Sequence, residues 1–234
     1  MSPKKLPETN EERINILRAT LDQEEINEET DRILSIAEIH DLRRFTISFE
    51  GADFVLNQAI INRDKTKNLY DELFKNAQLY VSHFIQVLFL TVIRNEIKAE
   101  NLVLYGFQEN STVLPDLSTE EAVLKWGEYL MRGETERTYR GGIPLYNPAI
   151  AKVKVHYELF KESIYSLAIY EKNLLRLETG MEDMRRKADE YILDIWNRIE
   201  EHYSKYSPDE QTAWFKAYKI QFLYKKGDQL SVFD

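Results

Sequence analysis

The four histidines are the side chains in this sequence best suited to proton transfer or metal binding: His40, His83, His156 and His202. A di-iron or di-manganese site in a helical bundle needs Glu-x-x-His, which places a carboxylate and an imidazole on one inward helix face. The residues three positions before the histidines are Ala37, Tyr80, Val153 and Ile199. None is acidic, and His-x-x-x-His does not occur, so the sequence predicts no metal site.

His83 and His156 each fall in a stretch that is predicted to form a long helix. If those helices face each other, the two imidazoles could form a polar pair that binds a ligand or a proton. The alternative is two separate histidines, each bonded to a carbonyl, a hydroxyl or a carboxylate. His40 and His202 stand beside acidic residues, which indicates solvated faces.

The sequence contains one double glycine, Gly141-Gly142, between Arg140 and Tyr146. It lacks the preceding strand and the Lys-Ser/Thr of a phosphate-binding loop, so we predict no nucleotide and no other cofactor. The arginine suits an anion, and the tyrosine can bury its ring while its hydroxyl stays in water. A small-ligand site would use His83, His156, Arg140, Gly141, Gly142 and Tyr146. The alternative is that the glycines serve only the loop's conformation.

Nucleophilic catalysis has no support in the sequence. Cysteine is absent, which excludes thiolate nucleophiles, disulfides and cysteine-bound metals. Gly-x-Ser-x-Gly is absent as well, and no serine can be paired with a base from sequence alone. We therefore predict no catalytic residue.

The elements that must position these residues are helices. Asn147 and Pro148 predict an N-cap and a first helical residue. Apolar residues then recur every three or four positions, which predicts a helix of about 30 residues ending at Gly180. A second helix to about Tyr203 would fold back against the first as an antiparallel hairpin.

The pattern in the first half of the sequence predicts a helix over about 28–62, a break at Asn62–Asp64 and a second helix over about 66–99. The alternating stretch Phe45–Phe49 is ambiguous, and we favour helix there. Residues 100–117 are predicted to form a long surface connection. Ser118 and Ser207 each begin a capping box, which predicts helices to about Tyr139 and to about Lys216.

After the last of these helices the apolar period changes to two over Tyr218–Tyr224. Gly227-Asp228 then offers a turn. This pattern predicts either a small C-terminal β-hairpin or a helix that continues and frays.

Composition agrees with a helical fold, since glycine (8) and proline (6) are scarce among the 234 residues and 43% are hydrophobic. We predict an all-α, antiparallel up-and-down bundle of about six helices. It would form one domain over 1–234, with halves of about 8–98 and 119–225 joined by the long connection.

The formal net charge of −9 is spread along the chain, so a phosphate backbone would be repelled and nucleic-acid binding is not expected. The most apolar run, Leu79–Ile93, is 15 residues long and contains polar side chains. It is shorter than a bilayer span, so no membrane association is expected. The first residues lack the apolar core of a secretory signal, which predicts a cytoplasmic protein.

Three stretches resemble a family of mostly helical bacterial proteins of unassigned function: 83–88, 142–157 and the helix over 188–203. The resemblance implies a helical fold and supplies neither catalytic residues nor a function. From the residues themselves we expect a non-catalytic protein that binds a protein partner or a second copy of itself through an aromatic helix face. The alternative is a small-ligand protein or an enzyme with a site near His83, His156 and the double glycine.

Overall fold

The computed structural model describes residues 3–28 and 31–222. Within these ranges the chain has no β-strand, and the predicted all-α helical fold is confirmed. The α-helices are α1 (Asn10–Ile26), α2 (Ile36–Ile93), α3 (Glu120–Tyr139), α4 (Ile150–His202) and α5 (Pro208–Ala217), and the 3₁₀-helices are Ala99–Tyr105 and Tyr203–Lys205.

The helix α2 is continuous, so the break expected at Asn62–Asp64 is wrong. This stretch contains neither glycine nor proline, and the Thr66 hydroxyl donates a hydrogen bond to the Asn62 carbonyl one turn earlier (2.9 Å). Polar side chains there mark a solvated face and not a helix end. The helix over Phe45–Phe49 is confirmed, with the two end rings stacked at 5.9 Å.

The helix α4 is also continuous, so Gly180 does not end a helix and no hairpin forms there. No atom beyond the helix itself lies within 4 Å of the Cβ position at Gly180. Leu174 and Met181 are buried on either side of Gly180, and their burial stabilises a helix that continues through the glycine. The helix starts at Ile150, two residues after Pro148, so the N-cap predicted at Asn147 is wrong.

The segment expected to be a surface connection contains the 3₁₀-helix Ala99–Tyr105, and two of its residues, Leu102 and Tyr105, are fully buried. The helix α3 begins one residue later than expected, with Thr119 as its N-cap. The capping box of Ser207 and Glu210 at the start of α5 is confirmed.

At the C-terminal end, Lys4 and Phe222 form an isolated antiparallel bridge. The turn predicted at Gly227-Asp228 lies outside the described residues. The hairpin therefore stays a prediction.

The chain divides into two compact units. Unit 1 comprises Met1–Gln58 and Leu174–Asp234, and unit 2 comprises Ala59–Asn173. Because α2 and α4 each contribute residues to both units, the units do not coincide with the halves expected from the sequence.

Unit 1 has an apolar core that includes Leu17, Phe49 and Trp196. A fully buried carboxylate, Glu24, accepts hydrogen bonds from the amides of Ile33 and Leu34 and from the Tyr218 hydroxyl (2.7 Å). These bonds satisfy a charge that would otherwise be costly to bury.

Unit 2 has a core built from α2, the 3₁₀-helix, α3 and α4, and Phe84, Leu88, Tyr105, Leu130 and Phe160 are among its buried residues. α2 is the one helix in the described ranges with a stretch long and apolar enough, by length and composition, to cross a membrane. Buried positions make up 39% of that stretch. The absence of membrane association stays a prediction.

Candidate functional site

A cleft of about 730 Å³ lies in unit 2, lined by residues between 87 and 101, by Arg137 and by residues 140–147. Four of the six predicted site residues line it together: Arg140, Gly141, Gly142 and Tyr146. Basic and apolar side chains share its surface, which is typical of sites that orient a small organic ligand.

The end of α3 shapes one wall of the cleft. Gly141 has φ +88°, a left-handed conformation that favours glycine, and its amide donates to the Thr138 carbonyl (3.0 Å). The Gly142 amide donates to the Arg137 carbonyl (3.0 Å). These bonds close the helix and turn the chain back across its last turn.

Gly142 is required for a different reason, which is close approach. A Cβ at this position would lie 2.7 Å from Nη1 of Arg137 and 2.9 Å from the Arg137 carbonyl oxygen. Only a residue without a side chain lets the loop lie directly against this guanidinium.

A buried polar network under the cleft holds the loop in place. It joins Tyr105 of the 3₁₀-helix to Glu134 and Arg137 of α3, which are 1% and 5% exposed. The Tyr105 hydroxyl donates to Glu134 and accepts from Nε of Arg137 (2.7 Å). Nη2 of Arg137 donates to both carboxylate oxygens of Glu134 (2.9 and 3.0 Å).

Two further bonds extend the network into the loop. Glu134 Oε1 accepts from the Leu145 amide (2.7 Å), and Nη2 of Arg137 donates to the Ile143 carbonyl (2.8 Å). The loop backbone is therefore tied to a buried ion pair, so the wall of the cleft is held in one conformation.

Burial, and then the hydrogen bond donated to Glu134, raise the pKa of Tyr105. The phenol therefore stays protonated at neutral pH, where it donates to the carboxylate and cannot serve as a base. The network positions the cleft and does not supply a group for proton transfer.

The two predicted histidines lie elsewhere. His83 is exposed and forms no hydrogen bond or ring contact with the described residues, whereas His156 is half-buried and stacks on Tyr80 with ring centroids 4.0 Å apart. Neither lines the cleft. The two helices are adjacent in unit 2, but the described contacts do not join the imidazoles as a pair.

Sequence reasoning missed Tyr105 and Glu134 as site residues. A signal was present, because Val123, Gly127 and Leu130 mark the buried face of α3 and the same spacing continues to Glu134 and Arg137. An acid and a base on the apolar face of a helix indicate a buried, paired cluster.

Among the described residues, no group of three or more histidine, aspartate or glutamate side chains is placed to hold a metal ion. No protein-family model matches the sequence, and no similar curated protein or solved structure was found. The resemblance to the bacterial helical family stays a prediction.

Proposed function

We propose that the protein is a non-catalytic binding protein that holds a small organic ligand in the cleft of unit 2. The observation that supports this is the convergence of Arg137, Arg140, Gly142 and Tyr146 on one cleft whose wall is tied to a buried ion pair. A wall fixed before the ligand arrives reduces the entropy lost on binding.

Binding is favoured over catalysis by the kinds of side chain present. Among the described residues that line the cleft, there is no histidine and no serine, and Glu96 is the one carboxylate. General acid–base catalysis commonly pairs two titratable groups with separated pKa values, and the cleft offers no such pair.

Native mass spectrometry of the full-length protein, purified from its own cells, tests this function. The wild type should carry a small-molecule mass that Gly142→Ala loses, because the added Cβ displaces Arg137. Tyr146→Ala should also lose it, and since Tyr146 is 93% exposed this change should leave the fold intact.

The matched control is Tyr139→Ala, an equally exposed tyrosine that does not line the cleft. This variant should retain the ligand. A wild type that carries no ligand, or a ligand that survives both cleft variants, would exclude the proposed site.

A second function is supported by a separate observation, an apolar strip on α4 in unit 2. Val155 and Leu159 are exposed there one turn apart, Ile169 is exposed further along the helix, and a shallow groove of about 500 Å³ lies over the first two. Exposed apolar surface of this kind is typical of protein interfaces. Lys154, Glu158 and Glu162 border the groove, and a second copy packed antiparallel with its Glu158 opposite Lys154 would bring opposite charges together.

Light scattering after size-exclusion chromatography tests this second function. The wild type should have the mass of a dimer at high concentration, and Leu159→Glu should have that of a monomer. Leu175→Glu, which changes an exposed leucine of α4 outside the strip, should leave the mass unchanged. A wild type that is monomeric at all concentrations would rule out self-association.

A further inference from the structure

The guanidinium of Arg137 has three nitrogens, and two of them are fully engaged. Nε donates to Tyr105 and Glu134, and Nη2 donates to Glu134 and Ile143. None of the described residues accepts a hydrogen bond from Nη1. A nearly buried arginine therefore has one unused pair of donors at the surface of the cleft.

Nη1 is not among the fully buried atoms of the described residues that lack a partner, so it keeps some contact with solvent. It lies beside Gly142, which lines the cleft, 2.7 Å from the position that a Cβ would take there. The guanidinium cannot turn away, because Tyr105, Glu134 and Ile143 hold its other edges. N–H groups of an arginine that are held in a fixed position and have no acceptor are well suited to bind an anionic oxygen.

The charges around the cleft limit how much negative charge the ligand can carry. Lys98, Arg137 and Arg140 line it, but Glu96 does too. Glu134 and Glu136 form ion pairs with Arg137 and Arg140 and offset their charges. The local charge is therefore close to balanced, which suits a singly charged anion better than a doubly charged phosphate.

The rest of the cleft is suited to an apolar body. Val87 of α2, Ile97 and Leu145 contribute aliphatic surface, and Ile143 is 84% exposed at the edge. A ligand with an aliphatic portion would cover this surface and remove it from water.

From these observations we infer that the ligand of this cleft is a monocarboxylate on an apolar body, with its carboxylate at Nη1 of Arg137. The inference rests on the proposed function and goes further by giving the chemical class of the ligand. Arg140 and Lys98 line the same cleft and add long-range attraction.

Isothermal titration calorimetry of the full-length protein tests the class with three probes: octanoate, its neutral analogue octanamide, and inorganic phosphate. Octanoate should bind at least tenfold more tightly than octanamide, because only the carboxylate forms charge-assisted bonds with Arg137. Phosphate should bind most weakly, since it carries more charge and no apolar body.

Two variants locate the anion. Arg137→Lys keeps the positive charge but removes Nη1, so the preference for octanoate over octanamide should shrink to the several-fold part that Lys98 contributes; circular dichroism checks that this variant is folded. Lys98→Met, an exposed change, should weaken octanoate several-fold and leave octanamide unchanged. Lys152→Met, an exposed lysine outside the cleft, should change neither.

Each other result overturns a defined part of the idea. Equal binding of octanoate and octanamide by the wild type would overturn the inference that the ligand carries a carboxylate. Tighter binding of phosphate would overturn the inference that the ligand is singly charged. If no probe binds while Gly142→Ala still removes a native ligand, the ligand class is wrong and the proposed function remains. If no probe binds and no native ligand is found, both fail.

Discussion

Glu134 and Arg137 are charged residues on a helix face that is otherwise apolar. They lie one turn apart on α3, on the same buried face as Val123, Gly127 and Leu130 and later in the sequence. Because both side chains are buried, the ion pair stabilises the fold little more than an apolar pair would. Removing one partner, however, leaves the other charged side chain unpaired in the interior. Their value lies in specificity, since a single loop conformation satisfies both carboxylate oxygens of Glu134 and the Nε and Nη2 donors of Arg137.

Glu134→Gln should lower the free energy of unfolding by about 3 kcal/mol, because it leaves the Arg137 charge buried without a counter-ion. The control is Glu136→Gln, two residues later, which removes the exposed pair with Arg140 and should cost under about 0.5 kcal/mol. Urea unfolding followed by circular dichroism measures both. Equal costs for the two variants would mean that the Glu134 pair is not buried in solution.

The site was partly predictable at this scale. Gly141, Gly142 and Tyr146 stand out by residue type, and a loop of that composition limits where they can lie. Glu134 does not stand out by residue type, because an acid and a base three residues apart occur on most solvated helix faces; only its spacing from Val123, Gly127 and Leu130 marks it. Whether His83 faces His156 depends on the rotation of two helices about their axes, which no local pattern specifies.

At the scale of elements, helix formation was predictable and helix ends were less so. Apolar spacing identified the helical regions, but Gly180 and Asn62–Asp64 were taken as ends and both lie inside helices. Glycine and asparagine end a helix when the chain needs a left-handed residue next. In a long helix whose apolar face is buried on both sides of a glycine or asparagine, that packing stabilises the helical conformation and the helix continues through the residue.

Gly180→Ala should raise the free energy of unfolding by about 0.5–1 kcal/mol, since alanine is the better residue in a helix interior and the Cβ meets open space. Gly106→Ala should do the opposite and cost more than about 1 kcal/mol. Gly106 has φ +82°, and its Cβ would lie 2.5 Å from the ring of Tyr129. Urea unfolding tests both, and a destabilising Gly180→Ala would contradict a continuous α4.

At the scale of the whole molecule, the division into two units was not visible in the sequence. The boundary between two compact units is normally marked in the sequence by a linker. Here the boundaries fall within α2 and α4, where the helical pattern does not change. The core of unit 2 was foreseeable in part. The run Leu79–Ile93 is the most apolar in the sequence, and Phe84, Ile85 and Leu88 are fully buried there.

Both units bury tyrosines, and this gives the protein a defined response to alkali. Burial raises the pKa of Tyr203 in unit 1 to about 12, and burial also raises the pKa of Tyr218 there and of Tyr105 in unit 2. The last two additionally donate hydrogen bonds to Glu24 and Glu134. In the unfolded chain the same phenols ionise near pH 10.

Since the folded pKa lies above the unfolded pKa, the stability from these phenols is complete below about pH 10 and is lost as the pH rises further. We expect the helical signal at 222 nm to fall cooperatively above pH 10, together with a late rise in tyrosinate absorbance at 295 nm. Tyr146→Phe, which removes an exposed tyrosine, should leave the midpoint unchanged. If every tyrosine ionised near pH 10 while the helices persisted, these phenols would be in contact with water and the packing around Glu24 and Glu134 would be looser than described.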